Sequence, residues 1–199
     1  MPSPSVRCAV AATLLVLGAA LVPGEATADP AAPPARGAVE IKTYSVSGSN
    51  TPKIVVRAVI EQPPRKVWAV VSDCAHYKNR LPRVVASRLV SHAGNKYTCE
   101  VTIAMPFPFS NLTGVTEATH EVGEGGMSRR WKLVSGDYTT NNGSWEVKPL
   151  DASGTSSLVT YSVQAEPKTS VPGWLREQAQ KKALPELIER VRAESAKMP

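Results

Sequence analysis

Between residues 97 and 105 the chain alternates with a period of two: Tyr97, Cys99, Val101, Ile103 and Met105 on one phase, Thr98, Glu100, Thr102 and Ala104 on the other. Residues two apart share one face of a β-strand, so this stretch predicts a strand with a single apolar face. Further stretches of strand composition lie at 54–60, 84–91, 112–122, 127–134, 144–150 and 158–165. Turn residues stand between them, at Gly94-Asn95, 123–126, Asn141-Asn142-Gly143 and 151–154. Parallel neighbours need a crossover of a dozen or more residues, and these gaps are of hairpin length. The strands must therefore form an antiparallel sheet.

An antiparallel sheet with one apolar face needs a cover, and the C-terminus supplies it. From 171 to 197, Leu175, Ala179, Ala183, Leu187 and Val191 recur every four residues with Leu184 and Ile188 beside them, which predicts a long amphipathic helix. Pro185 removes one backbone donor and predicts a kink or two helical pieces with a common apolar face. Upstream, Gln62-Pro63-Pro64 ends the first strand, and Pro64 opens a short helix carrying Val67, Trp68, Val70 and Val71. A second short helix at 75–81 must stop before Pro82. The class is α+β: about six to seven strands, two short helices after the first of them, and one long helix at the end.

The N-terminus reads as a targeting segment. Arg7, an apolar run at 9–22, and Ala26-Thr27-Ala28 before Asp29 have the form of a signal peptide over 1–28, cleaved between Ala28 and Asp29. The expected location is periplasmic or secreted. Residues 29–50, rich in Pro and Ala at the start and with a short strand candidate at 39–46, read as a linker or tail, which leaves 51–197 as the domain. No later stretch reaches the roughly 20 apolar residues of a membrane span. Cys8 would leave with the signal, so Cys74 and Cys99 would meet an oxidising compartment. They either form a disulfide or leave Cys99 buried on its strand.

No metal and no cofactor are expected: two cysteines 25 positions apart make no zinc motif, and His76, His92 and His120 fall on no HxxxH or HExxH spacing. The formal charge of +6 is concentrated, because 53–96 holds nine basic residues against Glu61 and Asp73. Lys66, Lys78, Arg80 and Arg83 are the candidates for a face that meets an anionic membrane surface, and the other reading is a solvated face. For an exported protein nucleic acid is not an expected partner. Ser144 in Gly143-Ser144-Trp145 lacks the GxSxG setting of a nucleophile, and Glu100 lies on the polar phase of its strand, as solvent-facing carboxylates do.

The order of elements, together with Pro64-Arg65-Lys66-Val67-Trp68-Ala69-Val70-Val71-Ser72-Asp73, Leu81-Pro82, Gly143-Ser144-Trp145, Val171-Pro172-Gly173-Trp174-Leu175 and Ala183-Leu184-Pro185-Glu186-Leu187, resembles the START-like (SRPBCC) ligand-binding superfamily. The resemblance covers 51–196 and is nearest to the branch of polyketide cyclase-like and coenzyme Q-binding proteins. It implies a helix-grip fold, a curved sheet around the long helix with an elongated apolar cavity between them. The candidate lining is Val101, Ile103, Met105, Phe107, Trp131, Trp145, Tyr161, Trp174, Leu184 and Ile188; plain core is the alternative for the aromatic members. Arg129 shares a strand phase with Trp131 and Leu133, and an inward Arg requires an anion such as an acidic headgroup unless the register returns it to solvent. His120 shares a phase with Ala118 and is either a hydrogen-bonded core residue or a ligand-facing one.

The expectation is a monomeric, non-catalytic carrier of a lipid or isoprenoid-quinone-like molecule. The alternatives are a cyclase or aromatase-type enzyme on a hydrophobic substrate, or a protein-interaction module using the basic face.

Overall fold

In the computed structural model the described residues are 32–49 and 51–199, so the segment 1–28 expected to be a signal peptide lies outside them. Eight strands form one antiparallel sheet: β1 (Val39–Tyr44), β2 (Lys53–Ile60), β3 (Val84–Ala93), β4 (Lys96–Ile103), β5 (Leu112–Gly123), β6 (Gly126–Gly136), β7 (Tyr138–Pro149) and β8 (Ser157–Pro167). Their spatial order is β1-β2-β8-β7-β6-β5-β4-β3. Consecutive strands pair everywhere except β2 and β3: the chain leaves β2 through the helices to β3 at the far edge of the sheet, and β8 returns to pair with β2. This is the α+β helix-grip architecture that the sequence predicts, with a higher strand count.

The additional strand corrects the domain boundary at residue 51. Val39–Tyr44 pairs with β2 along its whole length, from Val39 opposite Ala58 to Tyr44 opposite Lys53. The segment gains six residues of ladder, and Val39 and Ile41 pack on the core, which is why it is part of the sheet. A second correction concerns Asn141-Asn142-Gly143, which lies inside β7 and not at a turn. The reversal between β6 and β7 occurs instead at Gly136 and Asp137, where Gly136 has φ +122°.

Helix α1 (Pro64–Val71) opens with Pro64 in its first turn and buries Val67, Val70 and Val71. The second helical segment is a 3-10 turn, Cys74–His76, followed by α2 (Tyr77–Arg80). The C-terminal helix has three parts: α3 (Gly173–Gln178), a π-helical turn (Ala179–Ala183) and α4 (Leu184–Lys197). The wide turn immediately precedes Pro185, whose ring and missing N–H are incompatible with the regular ladder, so the interruption falls where the sequence predicts it.

Helix and sheet are packed solid at one end only. Ile188 and Val191 of α4 meet Val56, Ala58, Val67, Val70, Val147 and Val159 in a fully buried cluster. Toward the N-terminal end of α4 the apolar side chains are less well covered: Leu184 and Leu187 are only partly buried. The fold leaves its internal space there.

Candidate functional site

The space is a cavity of about 260 Å3 bounded by the concave face of β4–β8, the segment around α2 and the start of α4. Val101 and Ile103 come from β4, Trp131 from β6, Trp145 from β7, Tyr161 from β8 and Leu184 from α4. These six are residues the sequence nominates; strand alternation brings the five strand residues to one face, and Leu184 meets them from α4. Trp145 and Tyr161 are directly opposite one another in the ladder, with ring centroids 4.4 Å apart, and Trp131 lies 6.0 Å from Tyr161. Trp131 donates its indole N–H to Asn141 Oδ1 at 3.1 Å, which fixes the ring against the wall.

Gly143 makes that placement of Trp131 available. A Cβ at this position would come within 2.3 Å of the indole ring and 2.3 Å of the Ser162 carbonyl oxygen. The ring therefore crosses the strand at the one residue with no side chain.

Four nominated residues are elsewhere. Met105 follows β4 in a loop and does not border the cavity, Phe107 in the same loop is 95% exposed, and Trp174 on α3 is 58% exposed. Prolines at 106 and 108 turn this loop outward, so the alternation that points Ile103 inward does not extend to Met105 or Phe107. Ile188 belongs to the solid cluster, one turn from Leu184 along α4. Conversely, the cavity includes Tyr77, Leu81, Tyr138, Val163, Ala165 and Leu187. Val163 and Ala165 continue the phase of Tyr161, and Leu187 lies one helical turn from Leu184, so pattern alone locates those three. Tyr77 and Leu81 enter through the packing of α2, for which no periodicity exists.

Arg129 is buried, and it lines the cavity. Its Nη1 donates to the Ser72 carbonyl oxygen at 3.1 Å and to His120 Nε2 at 2.9 Å, and its Nη2 donates to Cys99 Sγ at 3.3 Å. The Tyr77 ring lies 5.8 Å from its guanidinium carbon, and the Tyr77 hydroxyl donates to the Val71 carbonyl oxygen. No carboxylate pairs with Arg129 among the described residues.

His120 lies behind Arg129 and outside the cavity lining. Its ring stacks on Tyr97 at 4.0 Å and meets Trp68 edge-on at 5.2 Å. Burial, with the positive charge of Arg129 and the proximity of His92, pushes its pKa down to about 4. The imidazole is then neutral near pH 7, as an acceptor for the guanidinium must be. Burial also raises the Tyr77 and Tyr161 phenols, and pushes Tyr138 up to about 12, so all three stay protonated.

Cys74 and Cys99 form a disulfide with a Cα separation of 6.2 Å. It ties the 3-10 turn to β4 directly above the Arg129 group. Of the basic candidates, Arg80 is held by Asp73 at 3.0 Å and by the Ala69 carbonyl, and Arg83 by Glu186 at 3.4 Å. Lys66 and Lys78 make no ion pair with a described residue.

Residues 60–192, two thirds of the chain, match the family model described as polyketide cyclase / dehydrase and lipid transport. The chain belongs to that family. Solved structures agree on the fold. A STAR-related lipid transfer protein from Xanthomonas axonopodis is 23% identical, with a TM-score of 0.69 over 83% of this chain and 97% of that one. Human STARD10 gives 17% identity and a TM-score of 0.69 over 82% of this chain and 71% of that one. The Zhui aromatase/cyclase from Streptomyces sp. R1128 gives 12% identity and 0.60 over 74% and 95%. Comparison with curated proteins finds no match. The polyketide cyclase / dehydrase and lipid transport family, a START-like group, includes both enzymes and carriers by its own description.

Proposed function

We propose that this protein is an exported, monomeric carrier that binds a hydrophobic small molecule, of lipid or isoprenoid-quinone type, in the cavity between its sheet and C-terminal helix, without transforming it. The observation that carries the reading is the cavity itself: about 260 Å3, walled by Val101, Ile103, Trp131, Trp145, Val163 and Leu184. Each Å2 of ligand surface removed from water there contributes about 25 cal/mol, so an apolar chain has sufficient driving force without covalent chemistry. The neighbour from Xanthomonas axonopodis is described as a lipid transfer protein, which accords with this reading.

The lining also favours binding over turnover. Among the described residues no Asp, Glu or His borders the cavity, and its tyrosines hold their protons far above neutral pH, so a general base is lacking. Export is supported by the signal-like N-terminus and by the Cys74–Cys99 disulfide, a bond that persists in oxidising compartments.

The test is organic extraction and mass spectrometry of protein purified from its native compartment, alongside titration with an environment-sensitive hydrophobic dye. The expected result is a co-purifying hydrophobic compound at near-stoichiometric amount, and dye binding abolished by Ala165→Trp in a protein that remains folded. A filled-cavity variant that binds dye as the parent does would overturn the reading.

A further inference from the structure

We infer that the ligand is a single-chain amphiphile with an anionic oxygen headgroup, a carboxylate or phosphate monoester, and that Arg129 is its counter-ion at the closed end of the cavity. This rests on the carrier reading and specifies the class of ligand. Arg129 is 3% exposed yet has only neutral partners: the Ser72 carbonyl, His120 Nε2, Cys99 Sγ and the Tyr77 ring. A buried guanidinium without an anion is expensive, and a protein interior holds one when a charge partner completes the site.

The hydrogen-bond inventory shows where that partner fits. Three of the five guanidinium N–H groups are used, leaving Nε–H and one Nη2–H without a partner. No fully buried side-chain nitrogen or oxygen among the described residues lacks a hydrogen bond, so Nε must touch open space. The open space that Arg129 borders is this cavity. Two adjacent N–H groups of a guanidinium present the fork that binds a carboxylate or phosphate through two parallel hydrogen bonds.

Burial increases from mouth to base. Arg129, Trp145 and Tyr77 are almost fully buried, whereas Arg83 is exposed and Pro82, Ala165 and Ala183 are partly so. Arg129, Trp145 and Tyr161 form one cross-strand row at the inner end, while Ala165 and Asn141 are opposed farther along the same strands. An amphiphile would enter head first, with its anionic group at Arg129 and its chain along the Trp131, Val163 and Leu184 walls toward the mouth. His120, neutral behind the guanidinium, adds no competing charge.

The experiment is calorimetric titration of the folded mature protein with straight-chain acids from octanoate to palmitate, the alcohols of the same lengths, and dodecyl phosphate. The acid of best length is expected to bind at least about tenfold more tightly than its alcohol, the scale of a charge-assisted hydrogen-bonded pair. That gap should fall to within about threefold in Arg129→Met and be partly restored in Arg129→Lys. A carboxyl-13C-labelled acid bound to the unsubstituted protein should remain ionised at pH values where the free acid is protonated, a readout that needs no variant. Comparison of laurate with dodecyl phosphate identifies which anionic head the site takes, and tighter binding than the alcohol by either one supports the inference. Equal binding of acids, phosphate and alcohols, or an acid preference unchanged in Arg129→Met, overturns it while leaving the carrier reading intact. Failure of every amphiphile to bind would remove both.

Discussion

Arg129 Nη1 lies 2.9 Å from His120 Nε2, so a cation donates to an imidazole that must be unprotonated on the shared side. This pair joins β5 and β6 beneath α1, and Tyr97 and Trp68 close over the imidazole. Protonating His120 would place two positive groups in contact. The low pKa of His120, about 4 against an ordinary value of 6.5, therefore makes folding sensitive to pH.

The unfolded chain binds the His120 proton at about 6.5 and the folded one only near 4. Stability from this group is complete above about pH 6.5 and is lost as pH falls through the window toward 4. The denaturation midpoint should accordingly decline between these values. His120→Gln, which keeps an acceptor for Arg129, should flatten that part of the profile. An unchanged slope in the variant would assign the decline to other groups.

The Cys74–Cys99 bond closes a loop across a sequence separation of 25. In the chain-entropy model such a loop contributes about 3.5 kcal/mol, and measured values for disulfides commonly fall at 2–4 kcal/mol. Reduction, or replacement of both residues by Ala, should lower the urea midpoint correspondingly. Labelling with a thiol reagent before and after reduction checks that both cysteines are bonded.

Gly143→Ala should destabilise the protein by about 1–3 kcal/mol, the usual cost of forcing extra volume into a packed site. The added methyl would meet the Trp131 ring and the Ser162 carbonyl at 2.3 Å. Because Trp131 forms part of the cavity wall, its displacement should also weaken dye binding. Tryptophan fluorescence and the dye titration report the two effects separately.

Ile188 and Leu184 lie one turn apart on α4 but have different surroundings. Ile188 is fully buried in the solid cluster, so Ile188→Ala should cost about 2–5 kcal/mol with little change in ligand binding. Leu184 faces existing free volume, so Leu184→Ala should cost less and change ligand affinity more. Equal costs for the two variants would show that the cavity collapses in solution.

If the basic face docks on anionic membranes, Lys66 and Lys78 are its free charges, since Arg80 and Arg83 are held by Asp73 and Glu186. Lys66→Glu combined with Lys78→Glu should reduce co-sedimentation with anionic vesicles. Binding should also weaken with salt, because exposed charges are screened over about 8 Å at physiological ionic strength. Equal binding to neutral vesicles would leave the lysines as solubility features.

Pattern alone identifies the sheet, the covering helix and the inward phase of β4, β6, β7 and β8, because a strand has a fixed period and one apolar face must be hidden. Val101, Ile103, Trp131, Trp145 and Tyr161 follow directly from that rule, and Pro185 marks the break in the helix by its chemistry. The same rule misplaces Met105 and Phe107, since their prolines end the strand and the alternation with it. It also cannot separate Leu184 from Ile188. Both lie on one helical stripe, and whether that stripe meets packed side chains or empty space depends on the distance between helix and sheet, which is set by contacts far apart in sequence. The same holds for Arg129: its strand phase points it inward, but its partners Ser72, Cys99 and His120 come from three other segments, and the absence of a carboxylate among them exists only in the folded arrangement. Periodicity is a local property and is written in the chain, whereas cavities and unneutralised charges are sums over neighbours that the fold assembles.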